Sequence, residues 1–439
     1  MEFSNTYILD SGEHTHIDHY SHGHGVDNDE SNEVASETST INFEHETFHT
    51  FREKVLQLAK NLFPHLMASK IEVEHMKGGS FNRVIGITIR AAPKKRFSLQ
   101  WLQGQFQRCF AKRITKKTEQ FVIRIPRYDD YGMDGIITMM NFVSPRLSVP
   151  VPVTTFFDLT GDNVLGKGYL VKRRLRGENL ASLWEKLNLE QKLSAARQVI
   201  DLTLEIARIT SPAAGTLIVN SLIPLHSAPK LETLSVPRAD HETLDGFPYP
   251  HTSPAVPQTT LALLIEQGER WRQFQTADGA CFDEIWDGFA KVSNGLHRLG
   301  FLKDNVYRLC HGDLESYNML AVVTSDTEVQ ITDILDWDTA VFAPSFMFRA
   351  PFWMWTDVDE DDWSEGTAAF EPLTQDGRKL KQLFMDKVDD QRKNYAFCPE
   401  YALARRMFLI LQNGVFSDGE FMEAQAVIAE WEVLHSMGT

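Results

Sequence analysis

The feature that most constrains this chain is one polar loop set between short β-forming runs. Residues 307–323 read YRLCHGDLESYNMLAVV, and residues 329–338 read VQITDILDWD. Two apolar, β-branched runs, 318–323 and 329–335, flank a polar TSDTE stretch, a spacing that predicts a hairpin. A hairpin there brings Asn318 and Asp336 side by side, with Asp313 in the loop just ahead. Phosphoryl transfer needs that set: a carboxylate to orient an acceptor hydroxyl and take its proton, and hard oxygens to hold Mg²⁺ against phosphates. A lone His-Gly-Asp is usually a turn whose Asp caps a backbone N–H, but the full spacing argues for the chemistry.

The rest of the chain has room for such a site. With 439 residues, 43% hydrophobic and 24% charged, it can bury a large core, which excludes wholesale disorder. No run approaches the roughly 18 apolar residues of a membrane span. The first residues, MEFSNTYILDSGEHTHIDHY, lack a basic region, an apolar region and any Arg, so neither a secretory signal nor a mitochondrial presequence is expected. Cys109, Cys281, Cys310 and Cys398 lie far apart and read as reduced thiols, which points to a cytoplasmic protein.

Charge is strongly partitioned. Residues 1–50 carry eleven Asp/Glu and no Lys/Arg, whereas residues 83–127 carry twelve Lys/Arg against Glu119 alone. An acidic chain of net charge −16 with one basic island does not suit a general nucleic-acid binder. Residues 1–42 are rich in His, Ser, Asp and Glu with few aliphatics, and they read as a disordered acidic tail. Its His14, His16, His19, His22 and His24 could bind a transition metal or be incidental.

Order is expected from Phe43. Phe48, Phe51, Val55, Leu58 and Leu62 recur at helical spacing until Pro64. IEVEHMKGGSFNRVIGITIRA then reads as two strands about a Gly-Gly-Ser turn, and EQFVIRIPR as a third. Between them a basic insertion, residues 93–117, interleaves aromatics with positive charge, as a solvated excursion or a docking surface for something acidic. After the Gly-flanked strand GKGYLVKRRLRG the chain turns mostly helical. Leu193, Ala196, Ile200, Leu204 and Ala207 share one helical face, residues 211–259 read as a long irregular surface segment, and Gly300 ends a helix over FDEIWDGFAKVSNGLHRL. The expected architecture is α+β. Residues 43–176 form a small lobe of one helix and β-rich structure, and residues 177–439 a larger helical lobe.

With these pieces in place, HGDxxxxN followed by LDWD resembles the aminoglycoside phosphotransferase and choline-kinase-like group, which has the two-lobed protein-kinase-like fold. GGSFNR, FVIRIPR, SVPVP, RGENLASLW and AGTL are similar to its filamentous-fungal branch. The resemblance implies Asp313 as catalytic base, Asn318 and Asp336 as Mg²⁺ ligands, and ATP as phosphate donor. It further implies that Gly78, Gly79 and Ser80 cover the phosphates and that Arg124 takes the place of the phosphate-binding Lys. The nucleotide base is expected near Lys172–Gly177. The sequence departs from the family where a Glu should pair with Arg124: GMDGIITMMNF has none, so either Asp129, Asp130 or Asp134 substitutes or Arg124 is ordered only by ATP.

Three further readings stay open. Asp338 could bind the acceptor or cap the following segment. Asp357–Asp362 could be a solvated loop or a subsite for a cationic acceptor, and Trp353, Trp355 and Trp363 core, lid or stacking platform. The leading function is an ATP- and Mg²⁺-dependent O-phosphotransferase acting on a small-molecule hydroxyl. The alternatives are a catalytically weak kinase-fold binding module and a metal-binding scaffold centred on the His-rich tail.

Overall fold

The computed structural model describes residues 46–76, 82–90, 118–127, 132–219, 229–237, 250–277, 279, 282–356 and 369–436. The small lobe starts with α1 (Phe48–Leu62), whose Phe51, Val55, Leu58 and Ala59 are buried. Each large apolar side chain so buried contributes about 1.5–3 kcal/mol. The last helical bond runs from Phe63 N–H to the Ala59 carbonyl, and Pro64, without an N–H, cannot continue the ladder.

Five strands form the sheet beneath it: β1 (Ile71–His75), β2 (Asn82–Arg90), β3 (Thr118–Pro126), β4 (Thr154–Asp158) and β5 (Tyr169–Arg173). The order is β1-β2-β3-β5-β4 and every pair is antiparallel. Strands β2 and β3 pair from Asn82↔Pro126 to Arg90↔Thr118, so the basic segment leaves and returns at the far end of a hairpin. Alternation divides the sheet into two faces. Ile85, Ile87, Phe121, Ile123, Tyr169 and Val171 pack with α1. Leu170, paired with Arg124, belongs instead to the core shared with the large lobe. Helix α2 (Met133–Val143) turns Ile136, Met139, Met140, Phe142 and Val143 into that same shared core.

The chain enters the large lobe through Gly177, at φ 129°, where a Cβ would sit 2.8 Å from Thr332 Oγ1 and 2.9 Å from the Ala321 carbonyl. There follow β6 (Glu178–Asn179), α3 (Leu180–Trp184), α4 (Leu189–Ile206) and β7 (Thr210–Ser211). Helix α4 is opened by a capping box between Asn188 and Gln191 and buries Ala195, Ala196, Val199, Ile200 and Ile206. The described residues of the 211–259 segment differ from the surface run expected. They make two-residue β-pairings and bury Leu217, Leu231, Leu234 and Val236. Such short pairings carry no readable period, which is why the sequence looked structureless there.

The remaining α-helices among the described residues are α5 (Thr260–Ala277), α6 (Asp283–Leu299), α7 (Gln375–Lys387), α8 (Asp390–Phe397), α9 (Pro399–Asn413) and α10 (Asp418–Ser436). Gly300 ends α6 in the left-handed region, at φ 88°. Between α6 and α7 lie the short strands of the site: β8 (Tyr307–Cys310), β9 (Met319–Val323), β10 (Val329–Ile334) and β11 (Val341–Pro344). Trp355 is core, packed on Phe384, and Trp353 lies edge-on to Trp184. Among the described residues, no helix is long and apolar enough to cross a membrane.

Candidate active site

Strand β8 pairs with β11 and delivers His311 into the interior. His311 Nε2 lies 2.8 Å from the Leu335 carbonyl, and the Asp313 N–H donates to Nδ1 at 3.3 Å. These partners define the tautomer, with the proton on Nε2, and burial lowers the imidazole pKa, favouring the neutral ring. The turn then needs Gly312, at φ 87°, where a Cβ would stand 2.4 Å from Thr339 Oγ1. Thr339 in turn donates to the His311 carbonyl at 3.0 Å, tying the loop to the segment after β10.

The Asp313 carboxylate is held at both oxygens. Tyr317 O–H donates to Oδ1 at 2.6 Å, and Asn318 Nδ2 donates to Oδ2 at 2.8 Å and to the Asp313 carbonyl at 3.0 Å. Asn179, from β6, donates to the Tyr317 carbonyl, and Arg349 pairs with Glu315. The loop is thus braced from three sides.

Strands β9 and β10 form the expected hairpin, from Met319↔Ile334 to Val323↔Val329. Leu335 N–H donates to the Asn318 carbonyl at 2.8 Å, so Asn318 and Asp336 leave its open end as neighbours. Because the Asn318 amide nitrogen is committed to Asp313, its Oδ1 is the atom left for a cation. Asp336 is the one described non-glycine residue at positive φ (57°), and its side chain is 47% exposed. Among the described residues no three His, Cys, Asp or Glu side chains converge as a metal cluster. Asn318 Oδ1 and the Asp336 carboxylate are neighbouring hard oxygens that could hold a cation such as Mg²⁺ together with water and phosphate oxygens.

Arg124 reaches this point from the small lobe. Its guanidinium forks onto both oxygens of Asp338, with Nη1 3.0 Å from Oδ1, and Nη2 stands 3.3 Å from Asp336 Oδ1. In this structure the Asp338 carboxylate holds Arg124, and its side chain is only 8% exposed. Asp134 does not pair with Arg124 but accepts from Gly135 N–H at 2.7 Å. The reason lies in α2. Its inner face is apolar, with Ile136 at the position expected to hold the Glu, and it packs on the Trp337–Thr339 turn, which supplies the carboxylate instead. Burial pushes the Asp338 carboxyl up, against the pull of Arg124.

Two further charged groups were not singled out by their sequence context. Lys172 belongs to β5 rather than to a hinge, and burial, reinforced by Arg124, brings its ammonium down to about 8. Asp333 on β10 is fully buried with neither carboxyl oxygen hydrogen-bonded, and burial raises it to about 8. Tyr317 was passed over as well, although it adjoins Asn318 in the motif; nothing in the spacing distinguishes it. Gly78, Gly79, Ser80, Asp129, Asp130, Asp357–Asp362, Trp363, the tail 1–42 and the insertion 93–117 lie outside the described residues.

Comparison with known proteins gives this geometry its context. Two curated proteins of Aspergillus fumigatus strains, each a subtelomeric hrmA-associated cluster protein, are 27% identical over 119 residues. The match covers 26% of this chain and 23% of theirs, so it spans about a quarter of those relatives. Among solved structures, aminoglycoside phosphotransferase APH(4)-Ia is similar at 13% identity with TM-score 0.46, covering 88% of this chain and 99% of that one. The GDP complex of wild-type aminoglycoside 2'-phosphotransferase-IIIa is similar at 14% identity with TM-score 0.44, covering 85% and 96%. The sequence model of the phosphotransferase enzyme family matches residues 110–369, more than half of the chain and all of the site just described apart from the small-lobe segments before it, and this chain belongs to that family.

Proposed function

We propose that this protein is an ATP- and Mg²⁺-dependent O-phosphotransferase that moves the γ-phosphate of ATP to a hydroxyl of a small molecule. The observation that carries this reading is the Asp313 carboxylate, fixed by Tyr317 and Asn318 beside the Asn318–Asp336 pair.

In this reading Asp313 accepts a hydrogen bond from the acceptor hydroxyl and aims its oxygen at the γ-phosphorus. The acceptor O–P bond forms as the bond from the γ-phosphorus to the β,γ-bridging oxygen breaks. ADP leaves and the hydroxyl proton passes to Asp313. Asn318, through Oδ1, and Asp336, through its carboxylate, are the residues that would hold Mg²⁺. When bound, Mg²⁺ offsets charge on the β- and γ-phosphates. Gly78, Gly79 and Ser80 are assigned to cover the phosphates with backbone N–H groups, and Asp338 to set the orientation of Arg124.

One observation favours the quieter alternative, a kinase-fold binding module with weak turnover. Arg124 is drawn onto Asp338 and Asp336, not left open toward a phosphate chain. Titrating the ATP analogue AMP-PNP by calorimetry, with and without Mg²⁺, tests the nucleotide site. The proposal expects affinity that rises with Mg²⁺ in the wild type and loses that rise in Asp336→Ala. Equal Mg²⁺ dependence in both proteins overturns the metal assignment, and no nucleotide binding in the wild type overturns the reading.

A further inference from the structure

Arg124 stands where a phosphate-binding cation is expected, yet its fork is closed on Asp338 and its Nη2 also faces Asp336. A phosphate chain entering the cleft therefore meets a cation already neutralised by two carboxylates. The sheet supplies a second one. Cross-strand partners share a face, and β5 pairs Leu170 with Arg124 and Lys172 with Val122. Lys172 lies two residues along β5 from Leu170, so it shares the cleft face with Arg124, while Tyr169 and Val171 point into the opposite core. The groups that act on its ammonium are Arg124 from β3, Asp333 from β10, and Asp336 and Asp338 from the segment after β10. That set includes both sides of the candidate nucleotide cleft. Among the described residues, no ion pair or hydrogen bond engages the ammonium itself.

We infer that Lys172 is the cation that meets the phosphate chain of the incoming nucleoside triphosphate, ahead of Arg124. This rests on the phosphotransferase reading above and adds a residue to it. The arrangement suits the task. Burial and the nearby guanidinium disfavour the Lys172 charge, and an arriving polyanion favours it, so phosphate binding relieves an unfavourable field. Arg124, by contrast, must first leave Asp338, whose buried carboxylate then needs another partner. Lys172 thus acts as a binding residue for the phosphates, and the strand position that looked like the edge of a base-binding hinge serves the other end of the nucleotide.

The test is calorimetric binding of AMP-PNP, tripolyphosphate and adenosine to the full chain, with Mg²⁺, for wild type, Lys172→Met and Lys172→Arg. Loss of one charge-assisted contact weakens AMP-PNP and tripolyphosphate by about ten- to a hundredfold in Lys172→Met, leaves adenosine unchanged, and is largely rescued in Lys172→Arg. AMP-PNP affinity within twofold of wild type in Lys172→Met, or an equal loss for adenosine, overturns the inference while nucleotide binding itself stands. A wild type that binds none of the three overturns both the inference and the reading beneath it. Tripolyphosphate and adenosine are measured on the same variant preparations, so a fold defect shows as an equal loss for adenosine and the charge effect as a loss confined to the phosphate ligands.

Discussion

Removing the Arg124 guanidinium while keeping its aliphatic stem, as in Arg124→Met, isolates the contact between the lobes. The side chains of Arg124 and Asp338 are 13% and 8% exposed. The variant leaves a buried carboxylate without its cation, a change that typically costs about 3–5 kcal/mol. A ceiling follows from protonation, because Asp338 can escape the penalty by binding a proton. Relative to an unfolded Asp near 3.9, holding it protonated at pH 7 costs about 4 kcal/mol. The sign is fixed. A carboxyl whose folded value lies above its unfolded value contributes a stability loss that grows as pH rises between the two, by at most about 1.4 kcal/mol per unit. Burial already raises Asp338 in the wild type, so the full figure is an upper limit. Urea denaturation at pH 5, 6 and 7 should therefore show a penalty for Arg124→Met of about 3–4 kcal/mol at pH 7 that shrinks by about 1–3 kcal/mol at pH 5. Asp338→Asn keeps the Asp336 contact at 3.3 Å and should cost about 1–2 kcal/mol, nearly independent of pH. A penalty for Arg124→Met that is the same at pH 5 and pH 7, or one matched by Asp134→Asn, refutes the reasoning.

Two other substitutions probe the fold beneath the site. Asp333→Leu removes a buried carboxyl that is pushed up to about 8 and has no hydrogen-bond partner. Its stability should exceed that of the wild type by a margin that widens by about 1–4 kcal/mol as pH rises from 5 to 8, read from denaturation curves. Gly312→Ala places a Cβ against Thr339 at a backbone φ of 87°, so it should destabilise the protein by about 1–3 kcal/mol and release the Thr339 bond to His311. An unchanged melting temperature would mean that the loop relaxes without strain.

The parts of this molecule that the sequence disclosed are those written in short-range patterns. Alternation in β1, β2 and β3 was readable because one face is buried under α1 and the other is not. The β9–β10 hairpin was readable because its two runs are separated by only five polar residues. The bracing of Asp313 by Asn318, though only five residues long, is not marked by the spacing and comes from the structure. What escaped is long-range. Arg124 meets Asp338 across 214 positions, and no local pattern marks a partner at that distance. Helix α5 escaped for another reason: it is enclosed by several neighbours and buries Gln267 and Gln275, whose amides donate to the Leu411 and Val415 carbonyls, so polar residues interrupt its apolar stripe. The place of Lys172 is long-range too: only the β3–β5 register puts it on the same sheet face as Arg124.

The central claim is that Asp313 takes a proton from an acceptor hydroxyl as phosphate moves. A panel of hydroxylated small molecules, cationic ones included, offered with ATP and Mg²⁺ and read by coupled ADP release, tests it with Asp313→Asn as the companion. At least one acceptor should support turnover in the wild type. Asp313→Asn should keep its thermal stability and its AMP-PNP affinity while turnover falls by about 10²–10⁴-fold. Turnover in Asp313→Asn equal to that of the wild type contradicts the account.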